Sequence, residues 1–245
     1  MATAMDSSDP TLGGKSHSIV DDFMYGSNVA SSHVYVRLGF LRKVYSILSI
    51  QLLITTLTGA LFMYVEPIKT FVQGSSAMII LAFILSLVTV IALLFKRHEY
   101  PTNMFLLAAF TLVEAYTIGT VVTFYDQMVV LEAFALTVSV AVCLTIYTLQ
   151  STRDFSSWGA GLFSMLWIMI MAGFLRIFFQ SDTLELIYAM AGAALFCGFI
   201  IYDTHMLMHK LSPEEYIVAT INLYLDLINL FMYILRILSE LNKKK

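Results

Sequence analysis

Charged residues are scarce in this sequence. They make up 13% of its 245 residues, whereas hydrophobic residues make up 59%. Soluble domains usually contain about 25% charged and about 45–50% apolar residues. A chain with so little charge cannot shield its apolar surface from water. The composition therefore excludes an ordinary soluble domain and predicts an integral membrane protein in contact with the lipid bilayer.

Cysteine is also sparse, and basic residues form no extended patch. Cys143 and Cys197 both lie in apolar segments, where a thiol usually behaves as a small buried hydrophobe. The longest basic run is the three lysines at 243–245, and the net charge is -3. We therefore expect neither a disulfide framework nor binding to nucleic acid.

Apolar segments recur along the chain with the length of a membrane-spanning helix. Such a helix needs about 20 residues, so this chain accommodates about seven of them with short loops. The sequence predicts an all-α integral membrane protein, a seven-helix bundle of six spans and a seventh transmembrane or re-entrant C-terminal helix. The short loops make consecutive helices antiparallel neighbours. The predicted segments are 44–65, 77–95, 104–124, 129–149, 159–179, 184–201 and 217–238.

The first 36 residues differ in composition from the rest of the chain. They are rich in Ser, Gly and Asp and contain few apolar residues, which is typical of a flexible segment. We predict a flexible cytosolic tail at 1–36, followed by a helical membrane domain at 37–245. Because the tail has no apolar core of a signal peptide, we expect the first span to act as its own signal.

Basic residues predict the orientation in the membrane. Arg42 and Lys43 precede the first span, and Lys96 and Arg97 follow the second. Cytosolic loops carry an excess of Lys and Arg, so both regions and the N-terminus should be cytosolic. The last segment is ambiguous, because a complete crossing would place Arg236 and the terminal lysines on the opposite side.

This orientation gives a first testable prediction. An N-glycosylation acceptor on an inserted spacer in the tail, or in the loop at 96–99, should stay unmodified because both are predicted to be cytosolic. The same acceptor at 181–182, on the opposite side, is the control and should be modified. A glycosidase-sensitive gel shift is the readout, and such a shift at either cytosolic position would overturn the orientation.

Three acidic residues lie within or at the ends of apolar segments: Glu114, Asp203 and Asp226. A charge at mid-bilayer costs about 2.5–3.5 kcal/mol, so these side chains should point into the bundle. Asn222 and Asn229 lie four residues before and three residues after Asp226. On a helix, this spacing places all three on one polar stripe.

Two carboxylates placed side by side can share a proton or bind a cation. Asp203 follows the small residues Gly192 and Gly198, which let a neighbouring helix pack closely and could bring Asp226 beside it. Two carboxylates in a dry place share a proton or bind a cation. Calcium suits them, because it takes hard oxygen ligands such as Asp carboxylates and Asn carbonyls. We predict a calcium and proton sensor at this pair, with Glu114 and the two asparagines as ion pathway or support.

Structural interpretations of these polar residues remain open. The polar stripe of the last helix could simply hydrogen-bond a neighbouring helix and fix its packing, and so could Glu114. Glu132 and Glu185 are typical of solvated interfacial charges near span ends. His205 and His209 are expected in a loop, as a solvated turn rather than as metal ligands.

Three motifs in order resemble the transmembrane BAX inhibitor motif family. They are GFIIYDTH at 198–205, HKLSPEEY at 209–216 and NLYLDLINLF at 222–231. FLRKVY at 40–45 and GAGL at 159–162 are similar to its lifeguard branch, and the resemblance runs from about 21 to 242.

This resemblance implies a function. It implies a calcium leak channel of Golgi and endoplasmic reticulum membranes that lowers luminal calcium, modulates calcium release and inhibits apoptosis. It also implies inositol trisphosphate receptors and other family members as partners. In that family a two-aspartate pH sensor joins the sixth and seventh helices, at the positions of Asp203 and Asp226. We expect bacterial members to carry a latching arginine in the second helix, whereas 77–95 contains no basic residue.

Other function classes share parts of the pattern. Intramembrane aspartyl proteases also place two aspartates on adjacent helices, one after a tyrosine, as in Tyr202-Asp203. However, Asp226 is not preceded by Gly-x-Gly, and Pro-Ala-Leu does not occur near the C-terminus. A seven-helix receptor would need an N-terminus outside the cytosol. A structural or regulatory membrane protein without transport is the third alternative, and we expect no enzymatic activity.

Overall fold

The computed structural model describes residues 34–176, 178 and 181–243, which form eight α-helices and two short 3-10 turns. No β-strand occurs in this part of the chain. The predicted tail lies mostly outside the described residues, as do Lys244 and Lys245. The helices are α1 (Val34–Tyr64), α2 (Glu66–Gly74), α3 (Ser76–Lys96), α4 (Thr102–Val122), α5 (Gln127–Gln150), α6 (Gly159–Arg176), α7 (Asp182–His209) and α8 (Tyr216–Lys243).

The predicted all-α membrane fold is confirmed. All of these helices except α2 are long and apolar enough to cross a bilayer. The boundaries differ from the prediction at three places. Helix α1 begins at Val34 rather than at 44, and α7 continues to His209 rather than ending at 201. The third difference is that the expected break after 65 contains the short helix α2. Pro67 is tolerated in its first turn, because N–H groups at that position make no hydrogen bond within the helix.

Polar side chains define where two of the spanning helices begin. Asp126 caps α5 by accepting hydrogen bonds from the backbone N–H groups of Met128 and Val129. Ser212 and Glu215 form a reciprocal capping box in the 3-10 turn that leads into α8. Such caps satisfy the free N–H groups at a helix start, so each helix begins at a defined residue.

The length of the last helix bears on whether it crosses the membrane completely. Helix α8 runs without a break for 28 residues, which at 1.5 Å per residue is about 42 Å. This length exceeds the roughly 30 Å hydrocarbon core of a bilayer. A re-entrant segment must turn back within the membrane, and α8 does not. The structure therefore favours a complete seventh crossing.

Helix α8 packs mainly on α7 and α5 and also makes buried contacts with α1 and α4. The Tyr224 hydroxyl of α8 lies 2.8 Å from the Thr55 hydroxyl of α1, and both residues are buried. The Tyr224 ring meets Phe110 of α4 edge to face, with centroids 5.8 Å apart. These contacts fix the position of α8 along the bundle axis.

The start of α1, the α3–α4 loop and the start of α8 meet at one end of the bundle. The Lys43 ammonium lies 3.2 Å from the centroid of the Tyr216 ring. The Asn103 amide donates to the Arg97 carbonyl at 2.9 Å and to the Tyr216 hydroxyl at 3.2 Å. We call this the basic end, because it carries Arg42, Lys43, Lys96 and Arg97.

At the opposite end of the bundle, α2 contacts the end of α4, and α6 meets the start of α7. Gln73 of α2 donates to the carbonyl of Thr123, just after α4, at 2.8 Å. Arg176 at the end of α6 lies 3.1 Å from Glu185 in the first turns of α7. We call this the far end. The antiparallel order expected from short loops is thereby realised.

Candidate functional site

The structure brings Asp203 and Asp226 together. Asp203 lies on α7 and Asp226 on α8, two helices that pack closely against each other. The Asp203 carboxyl lies within hydrogen-bonding reach of both Asp226 and Asn222. Asp226 is 5% exposed, and Asp203 is half-buried. A carboxylate can only accept hydrogen bonds, so a bond between these two groups requires a proton on one of them.

One carboxyl oxygen of the pair has no protein partner. Asp226 Oδ2 is buried and accepts no hydrogen bond from any described residue. A buried polar atom without a partner costs free energy that a proton or a cation at that oxygen would recover. Asp226 Oδ2 is thus the atom of the pair at which a proton or a cation would be most stabilising.

A cavity of about 720 Å³ opens beside the carboxyl pair, between α6, α7 and α8. Asp203, Asp226 and Asn222 line one part of it, and aromatic and aliphatic side chains line the rest. Asn229 also lines the cavity, but its amide donates to the Leu225 carbonyl of its own helix at 2.8 Å. Of the polar stripe, Asn222 reaches Asp203, whereas Asn229 bonds within α8.

The oxygen ligands at this site are few. No group of three His, Cys, Asp or Glu side chains within the described residues is arranged to hold a metal ion. Calcium takes six to eight oxygens, so Asp203, Asp226 and Asn222 would need water to complete its shell. The described side chains alone do not complete a calcium coordination shell.

Glu114 lies apart from the pair. It sits on α4, where it accepts a hydrogen bond from Ser86 of α3, and it does not line the cavity. The threonines three residues to either side, Thr111 and Thr117, donate to carbonyls of their own helix. Glu114 therefore joins α3 to α4 in this structure.

The predicted position of the two histidines is wrong. His205 and His209 belong to α7, and His205 is 5% exposed, with its Nε2 3.0 Å from Asp154 Oδ1. The two histidine rings stack with centroids 4.5 Å apart. Helix α7 continues past its apolar segment because Leu207 is fully buried and keeps this last part packed on the bundle.

Asp154, in the α5–α6 connection, is exposed and ionised. Hydrogen bonds from Ser156, together with the positive charge of Lys210 and the nearby His205, lower the pKa of Asp154 to about 2. Because this pKa lies below its usual value, any stability that the ionised group adds is present above pH 3.8 and is lost as the pH falls toward 2. Asp154 itself does not titrate near neutral pH.

The sequence position of Glu185 suggested a solvated charge, but in the structure Glu185 belongs to an ion-pair cluster. Its carboxylate lies 3.1 Å from Arg176 of α6 and 3.7 Å from Arg236 of α8. The partners are 9 and 51 residues away, so no local pattern could have shown this cluster. Glu132, by contrast, is exposed near the start of α5, as expected.

A family model matches most of the chain. The family described as "Inhibitor of apoptosis-promoting Bax1" matches residues 37–243. The match includes all eight helices except the first three residues of α1.

Similar proteins occur in mammals, viruses and yeast. "Protein lifeguard 4" of Mus musculus is 57% identical over 227 residues, which cover 93% of this chain and 95% of the relative. "Golgi anti-apoptotic protein" of Vaccinia virus (strain Lister) is 55% identical over 227 residues, covering 93% and 96%. "Bax inhibitor 1" of Schizosaccharomyces pombe is 42% identical over 224 residues, covering 91% and 84%.

Proposed function

Because this chain belongs to the family of inhibitors of apoptosis-promoting Bax1, we propose that it is an anti-apoptotic calcium leak channel whose opening depends on pH. The proposal places it in Golgi membranes, as the name of the viral relative suggests, and also in the endoplasmic reticulum. The leak lowers luminal calcium, reduces the calcium available for release and so opposes apoptosis. The proposal assigns no enzymatic activity.

One observation carries the proposed channel function. Two carboxyl groups from adjacent spanning helices lie within hydrogen-bonding reach of each other beside a cavity, and one buried oxygen of Asp226 is without a partner. Acidic residues inside a membrane domain are costly and commonly mark ion or proton pathways. A proton on Asp203 or Asp226 and a calcium ion compete for the same oxygens, so acidity controls passage.

The orientation and the partners are part of the same proposal. If the basic end and the N-terminal tail lie in the cytosol, Asp203 is near the cytosolic end of α7, because it lies six residues before the helix end at His209. Inositol trisphosphate receptors and other members of the family are the proposed protein partners.

Calcium leak should be measurable with the purified chain alone. Liposomes loaded with calcium and containing the protein should lose calcium several-fold faster than protein-free liposomes, because the Asp203 and Asp226 carboxyl groups give the ion oxygen ligands inside the bundle. An external calcium indicator follows the loss, and an added ionophore calibrates the total. Equal rates with and without protein, at every pH tested, would contradict the channel function.

A further inference from the structure

The cavity beside the carboxyl pair opens sideways on the membrane-embedded surface. Phe163 and Ile170 of α6 line it, yet they are 60% and 40% exposed. Both residues lie within a spanning helix, so the opening faces lipid rather than water. Helix α6 packs mainly on α7, which leaves a gap between α6 and α8 with α7 as its floor.

The part of the cavity toward the far end is almost wholly apolar. We call this part the lateral groove, and its lining residues are Leu166, Met169, Ile170, Tyr188, Phe196 and Tyr233. The Tyr188 hydroxyl donates to the Met169 carbonyl at 3.1 Å, so it is satisfied within the protein. An apolar groove open to the bilayer is filled favourably by a lipid acyl chain and unfavourably by water.

A cationic cluster adjoins the lateral groove at its far-end limit, through the lining tyrosines Tyr188 and Tyr233. Arg176 and Arg236 flank the single carboxylate of Glu185, at 3.1 Å and 3.7 Å, which leaves one net positive charge. The Arg176 guanidinium lies 4.5 Å from the centroid of Tyr188, and that of Arg236 lies 5.8 Å from the centroid of Tyr233. Both tyrosines line the groove, so the cluster is continuous with it.

The two arginines keep donors for an anion. A guanidinium has five N–H donors, and Glu185 occupies only some of those of Arg176 and Arg236. All three side chains are partly exposed, between 25% and 33%. They lie near the end of α6 and the start of α7, at the level where the hydrocarbon gives way to headgroups. Arginine pairs readily with phosphate at such a position.

We propose that a membrane glycerophospholipid binds here, with its phosphate on Arg176 and Arg236 and one acyl chain in the lateral groove. From Arg176 to Leu166 the helix rises about 15 Å, which matches half of a roughly 30 Å hydrocarbon core. The acyl chain therefore fills the apolar part of the cavity and ends before the part lined by Asp203 and Asp226.

Two substitutions with opposite expected effects test the phosphate contact. Arg236→Gln leaves the 3.1 Å pair between Arg176 and Glu185 intact and reduces the cluster charge to zero. It should weaken phosphatidylcholine binding about tenfold, the effect of losing one charge-assisted hydrogen bond. Glu185→Gln raises the cluster charge and should strengthen binding. Lys69→Gln, which changes another cation at the far end, is the control and should have no effect.

Native mass spectrometry of the full chain in mild detergent measures the lipid bound during titration. The probes are phosphatidylcholine, diacylglycerol with the same chains, and inorganic phosphate. The wild type should retain one phosphatidylcholine and bind diacylglycerol weakly. The assignment fails if Arg236→Gln and Glu185→Gln shift binding in the same direction or not at all, or if diacylglycerol binds equally well. It also fails if inorganic phosphate displaces the lipid, since the site then recognises a free anion.

Photolabelling of the wild-type protein tests the lipid site without relying on a variant that could fail to fold. Phosphatidylcholine with a photoreactive acyl chain should label Met169 and Phe196, which are buried in the protein and line the groove. Bulk lipid reaches only exposed side chains such as Phe83 of α3. Labelling of Phe83 without Met169 or Phe196 would overturn the proposal, whatever the calcium flux of the protein.

Discussion

Replacing Phe110 by alanine should destabilise the folded bundle by about 3 kcal/mol. The Phe110 side chain is fully buried and packs edge to face on Tyr224 of α8. Large-to-small core substitutions of this kind cost about 3–5 kcal/mol in soluble proteins, where lost transfer from water adds to the cavity left behind. A membrane helix stays in lipid when it separates, so mainly the packing part remains and the lower value applies.

A neighbouring phenylalanine supplies the matched control for this prediction. Phe105 lies on the same helix but is 73% exposed. After its replacement by alanine, lipid chains can occupy the space of the removed ring. Phe105→Ala should therefore leave the unfolding curve in mixed micelles with a denaturing detergent nearly unchanged. Equal destabilisation by the two substitutions would show that burial within the bundle does not determine its stability.

The packing around Tyr224 also bears on the carboxyl pair. Tyr224 precedes Asp226 by two residues, and its hydroxyl lies 2.8 Å from Thr55 of α1. A shift of α8 along its axis would break this contact and the Phe110 contact together. Helices α1 and α4, which carry no part of the pair, thus add to the α7–α8 packing that keeps Asp226 at the height of Asp203.

The spanning segments were predictable from the sequence because lipid imposes a simple demand. About 20 consecutive apolar residues are needed to cross it, and they leave a clear pattern. The ends of α1 and α7 were not predictable, because contacts between elements hold their polar parts helical. At α1 the Lys43 ammonium lies over the Tyr216 ring, and at α7 the buried Leu207 holds the final turns.

The carboxyl site was only partly predictable for a similar reason. The spacing of Asn222, Asp226 and Asn229 is a local pattern, and the helical period places them on one face. The proximity of Asp203 depends on how α7 packs on α8, which composition alone does not determine.

Interactions between distant elements left no signal in the sequence. The contact of His205 with Asp154 and the cluster around Glu185 join residues from separate elements. Nothing in the spacing of these residues along the chain marks them as neighbours. The lateral groove belongs with them, because it exists only where α6 and α8 stand apart over α7.

Asp203 and Asp226 should act as one unit in controlling the leak. If Asp203 and Asp226 together hold either a proton or a calcium ion, removing one carboxylate abolishes the competition between proton and calcium. Effects of residues in direct contact are non-additive. Asp203→Asn, Asp226→Asn and the double variant should therefore have similar fluxes that no longer depend on pH.

Two other acidic residues serve as controls for this coupling. Glu114→Gln should change the size of the flux and keep its pH dependence, because Glu114 contacts Ser86 rather than the pair. Asp154→Asn should also keep it, because the pKa of Asp154 is about 2 and the group stays ionised near neutral pH.

Calcium flux from liposomes, measured across pH for the wild type and these variants, tests the two-aspartate site most directly. Flux through the wild type, Glu114→Gln and Asp154→Asn should respond to pH near neutrality, whereas flux through the two single aspartate variants and their double variant should not. A double variant that keeps the pH dependence of the wild type would contradict the two-aspartate site.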